Sequence, residues 1–313
     1  MSLVGHRSVL RFIYFLGVVR WYNLILLVIS QYLLAAYILL VKNGSDKKMA
    51  FWQFLTDTTV HSMALATVFT VAAIFIINSF YDLDKDWVNK SNMALMSRAI
   101  GTGQLANMYI VLNTLGLLFA FFASSKVAIY FILFQFFGWF YSHKMQKIAL
   151  LRELSASVLT LAPLVAIWIH FSFEVPQLGW YFVGLLVVLL VKDIMKDLAG
   201  DRGNLIFGYR TVSIVAGQEG SKRLAWIIAA VASLLVGIAV WQLETVHDVL
   251  KITGIGLFLT FLNTTLWQRL KRADQLKWML RLQKSVVLFY FGALLALIIY
   301  RYVLFFVYDV ITP

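Results

Sequence analysis

Nine apolar stretches constrain this chain more than any other feature, most of them close to the roughly 20 residues that a helix needs to cross about 30 Å of hydrocarbon. They run approximately over Trp21–Val41, His61–Tyr81, Leu105–Ser124, Val127–Tyr141, Ser155–Phe171, Leu178–Val191, Leu224–Gln242, Val249–Trp267 and Ser285–Val307. Hydrophobic residues make up 61% of the 313 and charged residues only 13%, about half the charge of an ordinary soluble domain. An integral membrane protein follows. Only 3 prolines interrupt the chain, and the runs are long rather than short and alternating, so helices are expected and an outer-membrane barrel is not. The fold expected is all-α, with nine transmembrane helices in a single bundle around a central cavity. No Pro/Gly/Ser-rich linker divides it, so residues 1–313 read as one domain. With no cysteine, disulfide frameworks and thiolate chemistry are excluded. The N-terminal Met1–Val19 has basic residues and an apolar run but no small-residue cleavage site, and it is expected to be retained.

The net charge of +12 would suit a nucleic-acid partner if the cations clustered on a soluble face, but their placement says otherwise. Arg7, Arg11 and Arg20 precede the first span. Lys85, Lys90 and Arg98 follow the second, and Lys144, Lys147 and Arg152 follow the fourth. Two further basic groups follow the sixth and eighth spans, leaving Lys42, Lys47, Lys48, Lys126, Lys251 and Arg301 as the only cations elsewhere. This alternation is the positive-inside pattern. It places the N-terminus and every even-to-odd connection in the cytoplasm and the C-terminus on the opposite side, and it accounts for the charge without nucleic acid. The stretch Arg269–Lys284 alternates bases with Leu, Trp and Met, as either a helix lying on an anionic leaflet or a solvated loop helix would.

Two acidic clusters stand at the ends of these runs. Asn78, Asp82 and Asp86 are spaced four apart, which stacks them along one helix face while Asp84 points elsewhere. Asp193, Asp197 and Asp201 repeat the spacing after the sixth run, where Gly200 is expected to end or loosen the helix. One such motif alone is more often a capped or solvated helix end. Two, both at cytoplasmic helix ends of a membrane chain, argue for a site. Oxygen-only ligands select a hard cation, and Mg2+ in particular is held by one or two carboxylates plus phosphate oxygens of a substrate. Lys196, Arg202 and Arg210 put positive charge beside the second cluster, which suits a diphosphate better than a bare ion. Two acidic helix ends facing across a cavity would hold two Mg2+ ions with a diphosphate between them, the arrangement that loosens a C–O bond to diphosphate. An ion-coupled transporter is the competing class, but it would place its acids near the bilayer midplane on broken helices. A soluble helical prenyl synthase uses comparable acidic motifs, and nine spans argue against it.

In these motifs the chain resembles the UbiA-type intramembrane prenyltransferases over most of its length. The first family signature is matched at Asn78, Asp82 and Asp86, the second at Asp193, Asp197, Gly200 and Asp201, and Gly208-Tyr209-Arg210-Thr211 looks like the Gly-x-Arg-Thr stretch that follows. Ser97-Arg98-Ala99 resembles the family's Arg-Pro segment with alanine in place of proline, which predicts a differently shaped loop. Tyr141, Lys144 and Lys147 resemble its Tyr/Lys segment after span four, with Lys147 favoured over Lys144 as the diphosphate contact. The resemblance implies transfer of a prenyl chain from a prenyl diphosphate donor to a lipid or aromatic acceptor. The allylic cation formed would be stabilised by aromatic faces such as Tyr81, Trp139, Phe140 and Tyr141. Each of these also suits ordinary interface packing. Asn23 resembles the opening of members that prenylate a glycerol-phosphate lipid, with Trp21 where proline would stand. Helix capping explains Asn23 equally well, and His143 beside Lys144 offers a phosphate contact or a solvated loop histidine. On Asn23 the resemblance implies a glycerol-phosphate-type lipid acceptor of the geranylgeranylglyceryl phosphate kind, with an aromatic quinone precursor such as 4-hydroxybenzoate, or another acceptor, as the alternative.

Overall fold

The computed structural model describes residues 3–44, 46–89, 91–198, 201–242, 248–270 and 273–311, with side chains for all of these except 3–8, 47, 201–203, 273–274 and 301–311. Among them every regular element is helical. In chain order these are α1 Leu3–Val18, α2 Trp21–Lys42, α3 Lys47–Thr56, α4 Thr58–Tyr81, α5 Leu83–Val88, α6 Asn92–Ile100, α7 Thr102–Ala123, α8 Ser125–His143, α9 Leu151–His170, α10 Leu178–Leu198, α11 Asp201–Ile206, α12 Val212–Gln242, α13 Asp248–Arg269 and α14 Ala273–Ile311. A short 3-10 turn, Met145–Lys147, follows α8.

Eight of these helices are long and apolar enough to cross a membrane: α2, α4, α7, α9, α10, α12, α13 and the Gln275–Tyr300 part of α14. The fourth expected span, Val127–Tyr141, lies within α8, which is 19 residues long but diluted by Lys126, Gln135, Trp139, Tyr141 and His143, and it is not among the eight. The basic stretch before span nine is no separate surface helix. From residue 273 it forms the opening turns of α14, which runs unbroken to Ile311. Residues 92–100, where alanine replaces the family's proline, form α6 with Ala99 inside it. A non-proline residue leaves the helical conformation and its backbone donor available.

The chain divides into two compact units. The first comprises Met1–Tyr32, Asp57–Arg152 and Arg202–Tyr209. Its centre is the pairing of α4 with α7. Asp57 starts α4 by accepting from the amides of Thr59 and Val60 at 2.9 and 3.1 Å, which satisfies donors that a helix N-terminus leaves orphaned. Gly116 of α7 sits directly against Thr70 of α4, where a Cβ would collide with the threonine hydroxyl. The close approach lets Gln135 of α8 donate to Thr70 Oγ1 and to the Asn113 carbonyl, each at 3.1 Å. Gln31 of α2 likewise donates to Thr67 at 2.9 Å. Small residues and cross-helix hydrogen bonds are what hold helices together where lipid removes the hydrophobic driving force. Between α1 and α2 the chain turns at Arg20, φ 52°, whose guanidinium lies 4.9 Å from the Phe75 ring centroid.

The second unit comprises Leu33–Thr56, Glu153–Asp201 and Arg210–Pro313. A buried polar lattice joins α10, α13 and α14. Gln283 donates to the Val188 carbonyl at 3.1 Å and to Thr260 at 3.2 Å while accepting from Asn263 at 2.8 Å. Tyr181 donates to the Tyr290 carbonyl at 3.1 Å, and Tyr290 to the Thr253 carbonyl at 3.2 Å. Below it Val191, Ile194, Met195, Val212, Ala225 and Trp267 form an apolar cluster that fixes the end of α10 against the start of α12. Within α12 the backbone breaks helical geometry at Gly217.

Candidate functional site

The last two turns of α4 and all of α5 carry the first acidic cluster. Asp82 ends α4 with φ −91° and ψ 0°. The path nevertheless stays close to helical, because the Asp82 amide donates to the Asn78 carbonyl at 2.9 Å and the Asp86 amide to the Asp82 carbonyl at 2.8 Å. The four-residue spacing therefore survives a junction between two helices. Asp84 points away as expected: its side chain is 76% exposed, and its Oδ1 lies 3.7 Å from Arg98 Nη2. Arg98 stacks on the Trp87 ring at 3.8 Å.

Asp82 is the buried member, and three donors converge on it. Lys85 Nζ lies 2.7 Å from Oδ1, Tyr209 OH donates to Oδ1 at 3.2 Å, and Asn78 Nδ2 donates to Oδ2 at 3.3 Å. A buried carboxylate requires such compensation. Tyr209 reaches it because Gly208 adopts φ 69°, a conformation open to glycine, and the Tyr209 amide returns to the Asn204 carbonyl at 2.9 Å. Asn204 accepts from Arg152 Nη1 at 3.3 Å, and Gln146 Nε2 donates to the Tyr209 hydroxyl at 3.5 Å. Burial, and after it the charge of Asp82, pushes the Tyr209 phenol above its ordinary pKa, which keeps it a neutral donor. Lys85 and Lys147 both approach the face of this ring, at 4.5 and 5.9 Å from its centroid. Lys144 caps α8 through its backbone amide, and both it and Lys147 are exposed. The Tyr81 ring lies 5.5 Å from that of His143 at a tilt of 56°, and His143 lies parallel to Trp139 at 5.4 Å. Tyr141 is half-buried near the end of α8, and Asn23 is half-buried in the first turn of α2.

The second cluster stands at the end of α10. Asp193 accepts from Ser157 of α9 at 3.3 Å and pairs with Lys192 at 3.2 Å. Asp197, one turn on, is buried, while Lys196 and Arg210 are exposed. Support comes from α9: Ser157 also donates to the Glu153 carbonyl at 3.0 Å, and the Glu153 carboxylate, 1% exposed, accepts from the Val212 amide at 3.0 Å. The side chains of Asp201 and Arg202, and Gly200 as a whole, lie outside the described residues.

The donor set fits magnesium. Asn78 Oδ1 is a buried acceptor without a hydrogen-bond partner, one turn before Asp82 and two turns before the Asp86 position. Among the described residues no group of three acidic, histidine or cysteine side chains forms a ready-made metal cage. An ion that keeps one or two carboxylates and completes its octahedron with phosphate oxygens needs no such cage. Lys85, Tyr209, Glu153 and Ser157 were not singled out by sequence. Lys85 counts there as one loop cation among several, and Tyr209 is the variable position of the Gly-x-Arg-Thr stretch.

Comparison with known proteins places this geometry in a family. Residues 49–287 match UbiA, the UbiA prenyltransferase family. A digeranylgeranylglyceryl phosphate synthase from Pyrococcus furiosus is 24% identical over 162 residues, 52% of this chain and 57% of that protein, so the chain spans somewhat over half the length of the curated relative it matches. A solved structure on digeranylgeranylglyceryl phosphate synthase in membranes superposes with a TM-score of 0.67 at 18% identity, over 91% of this chain and 98% of that one. A UbiA homolog from Archaeoglobus fulgidus bound to DMAPP and Mg2+ gives 0.61 at 14% identity, over 90% of this chain and 98% of that one. At such identities the two structures establish a shared fold. With the family match extending through both acidic clusters, the chain belongs to the UbiA prenyltransferase family.

Proposed function

We propose that this chain transfers a prenyl group from a prenyl diphosphate to an acceptor within the membrane, and that the acceptor is a glycerol-phosphate lipid of the geranylgeranylglyceryl phosphate type. The observation that carries the reading is the Asn78, Asp82, Asp86 line, in which a buried carboxylate stands beside an amide oxygen that lacks a partner. Family membership supports the reaction class. The Archaeoglobus fulgidus homolog bound to DMAPP and Mg2+ supports the donor and the ion, and the name of the Pyrococcus furiosus relative supports the acceptor.

The residues that would hold magnesium are Asp82 and Asp86 with Asn78 in one cluster, and Asp193 and Asp197 with Asp201 in the other. Two clusters suit two ions. Bound there, magnesium would neutralise the charge that develops on the departing diphosphate. Lys147, in preference to Lys144, supplies a cationic donor for diphosphate oxygens together with Arg98, Lys196, Arg202 and Arg210, and the arginines are able to bind two oxygens at once. Tyr81 and Tyr141 present aromatic faces to the allylic cation, and Asn23 serves the acceptor. The chain works as one domain, with the N-terminus and both clusters cytoplasmic and the C-terminus opposite, as the basic connections support.

The test uses the purified chain in lipid nanodiscs with Mg2+, geranylgeranyl diphosphate and either geranylgeranylglyceryl phosphate or 4-hydroxybenzoate. Diphosphate release and a product of the summed mass are expected with the first acceptor, and both should vanish in Asp82→Asn and Asp193→Asn. Normal turnover in the two variants overturns the assignment, and product with only 4-hydroxybenzoate overturns the acceptor.

A further inference from the structure

Lys85 is an unusual member of the first cluster. Its side chain is only 8% exposed and its ammonium is held twice, by Asp82 Oδ1 at 2.7 Å and by the face of the Tyr209 ring at 4.5 Å. A buried ion pair of this kind adds little to stability once the desolvation of both charges is counted. What it does is fill the acidic cluster with a positive charge. Asn78, Asp82 and Asp86 sit within two turns, and without a cation the two carboxylates would repel each other and one would be buried unpaired.

We propose that Lys85 is the resident counter-ion of Asp82 and that a divalent cation must displace it. The inference rests on the proposed function, in which Asp82 is a metal-holding residue. Oδ1 of Asp82 is already shared by Lys85 and Tyr209, whereas among the described residues Oδ2 receives the long contact from Asn78 alone. Whichever oxygen the metal takes, an ammonium and a dication on one carboxylate repel each other across a few ångströms of desolvated space. Lys85 therefore competes with the metal, and its release frees an ammonium for the diphosphate that arrives with the metal. The neutral Tyr209 phenol stays on Asp82 in either state and keeps the carboxylate oriented. The consequence is a cluster that stays charge-balanced until a divalent cation displaces Lys85.

Two measurements on the full chain in nanodiscs test this, neither of them turnover. In the first, Mn2+ alone is titrated and free Mn2+ is read by its electron paramagnetic resonance signal. If Lys85 occupies Asp82 about nine-tenths of the time, removing it tightens apparent binding about tenfold. Lys85→Met should show that gain, and Lys85→Arg, which keeps the charge, should not. Unchanged or weaker Mn2+ binding in folded Lys85→Met overturns the proposal. In the second, wild-type protein is treated with an amine-reactive acylating reagent and Lys85 is followed by mass spectrometry. Labelling should be low without metal and rise several-fold on adding Mn2+. A flat response overturns the proposal even if Lys85→Met fails to fold, because a lysine that only braces the α4–α5 junction would remain protected. Failure of the underlying reading looks different: Mn2+ binding in the wild type would then be unaffected by Asp82→Asn.

Discussion

Tyr209 donates a 3.2 Å hydrogen bond to Oδ1 of Asp82, a residue 127 positions earlier in the chain. The bond brings the segment after α11 onto the end of α4 and sets one orientation of the carboxylate. Tyr209→Phe keeps the ring, and with it the face that Lys85 and Lys147 approach, but removes the donor. Lys85 and Asn78 still reach Asp82, so the loss is that of one hydrogen bond to a charged acceptor, about 1.5–3 kcal/mol at most. A lower melting temperature and a several-fold fall in kcat/KM for the prenyl diphosphate are expected, measured by thermal unfolding in detergent and by diphosphate release.

The same phenol gives the metal-free protein an alkaline limit. Unfolded, it ionises near 10.0, and in the fold burial and Asp82 hold it protonated to higher pH. Between those two points the unfolded chain binds fewer protons than the native one, so stability falls as pH rises through that window and is fully present below it. Melting temperatures taken across pH 10 should therefore fall more steeply in the wild type than in Tyr209→Phe. Parallel curves would show that the phenol ionises alike in both states.

Glu153 acts on backbone, not on substrate. Its carboxylate is buried and accepts from the Val212 amide at the start of α12, a helix N-terminus that favours an anion. Glu153→Ala leaves that amide buried without an acceptor, at a cost of about 1–3 kcal/mol. Glu153→Gln keeps an acceptor oxygen and should recover most of the loss in the same thermal measurement. Equal destabilisation by the two substitutions would mean that the charge, rather than the hydrogen bond, is what α12 needs.

The spans could be read from sequence because bilayer thickness dictates the length of an apolar run, with little reference to the rest of the chain. The acidic line could be read because four-residue spacing is a local property, and it persists across the break at Asp82 through the Asp86 to Asp82 backbone bond. Lys85 and Tyr209 are different. Their role depends on a contact between segments far apart in the chain, and no local pattern marks a lysine that turns inward among others that face solvent. The fourth span falls short of the others for a compositional reason, since Lys126, Gln135 and His143 dilute the apolar character of α8, the helix that contains it. No local pattern marks Glu153 either, and only folding reveals that an amide 59 positions later occupies it.

Gly256 of α13 faces the Tyr290 ring of α14 so closely that a Cβ would overlap it. Tyr290 cannot easily retreat, because its hydroxyl donates to the Thr253 carbonyl and its own carbonyl accepts from Tyr181. Gly256→Ala must therefore separate α13 from α14 or break that lattice, and overpacking of this kind costs about 1–3 kcal/mol. Reduced thermal stability is expected, and Gly256→Ala combined with Tyr290→Phe should lose less than the sum of the two single changes, because both strike one contact. Strict additivity would show that the helices part without disturbing Tyr290.

Lys144 and Lys147 lie three residues apart, Lys144 at the end of α8 and Lys147 at the end of the 3-10 turn that follows. Both are exposed, but Lys147 Nζ approaches the face of Tyr209, whose hydroxyl is on Asp82, whereas Lys144 caps α8 through its backbone amide. If diphosphate sits at the first acidic cluster, Lys147 is the lysine already directed toward it. A charged hydrogen bond is worth about 1.5–3 kcal/mol, so Lys147→Ala should lower kcat/KM for the prenyl diphosphate by about 10- to 100-fold. Most of that should appear in KM if the contact is equally strong in the ground and transition states. Lys144→Ala should change it by less than about threefold, as expected for a solvated charge. The opposite order, measured by diphosphate release over a range of donor concentrations, would move the donor's phosphates toward the end of α8 and away from Asp82.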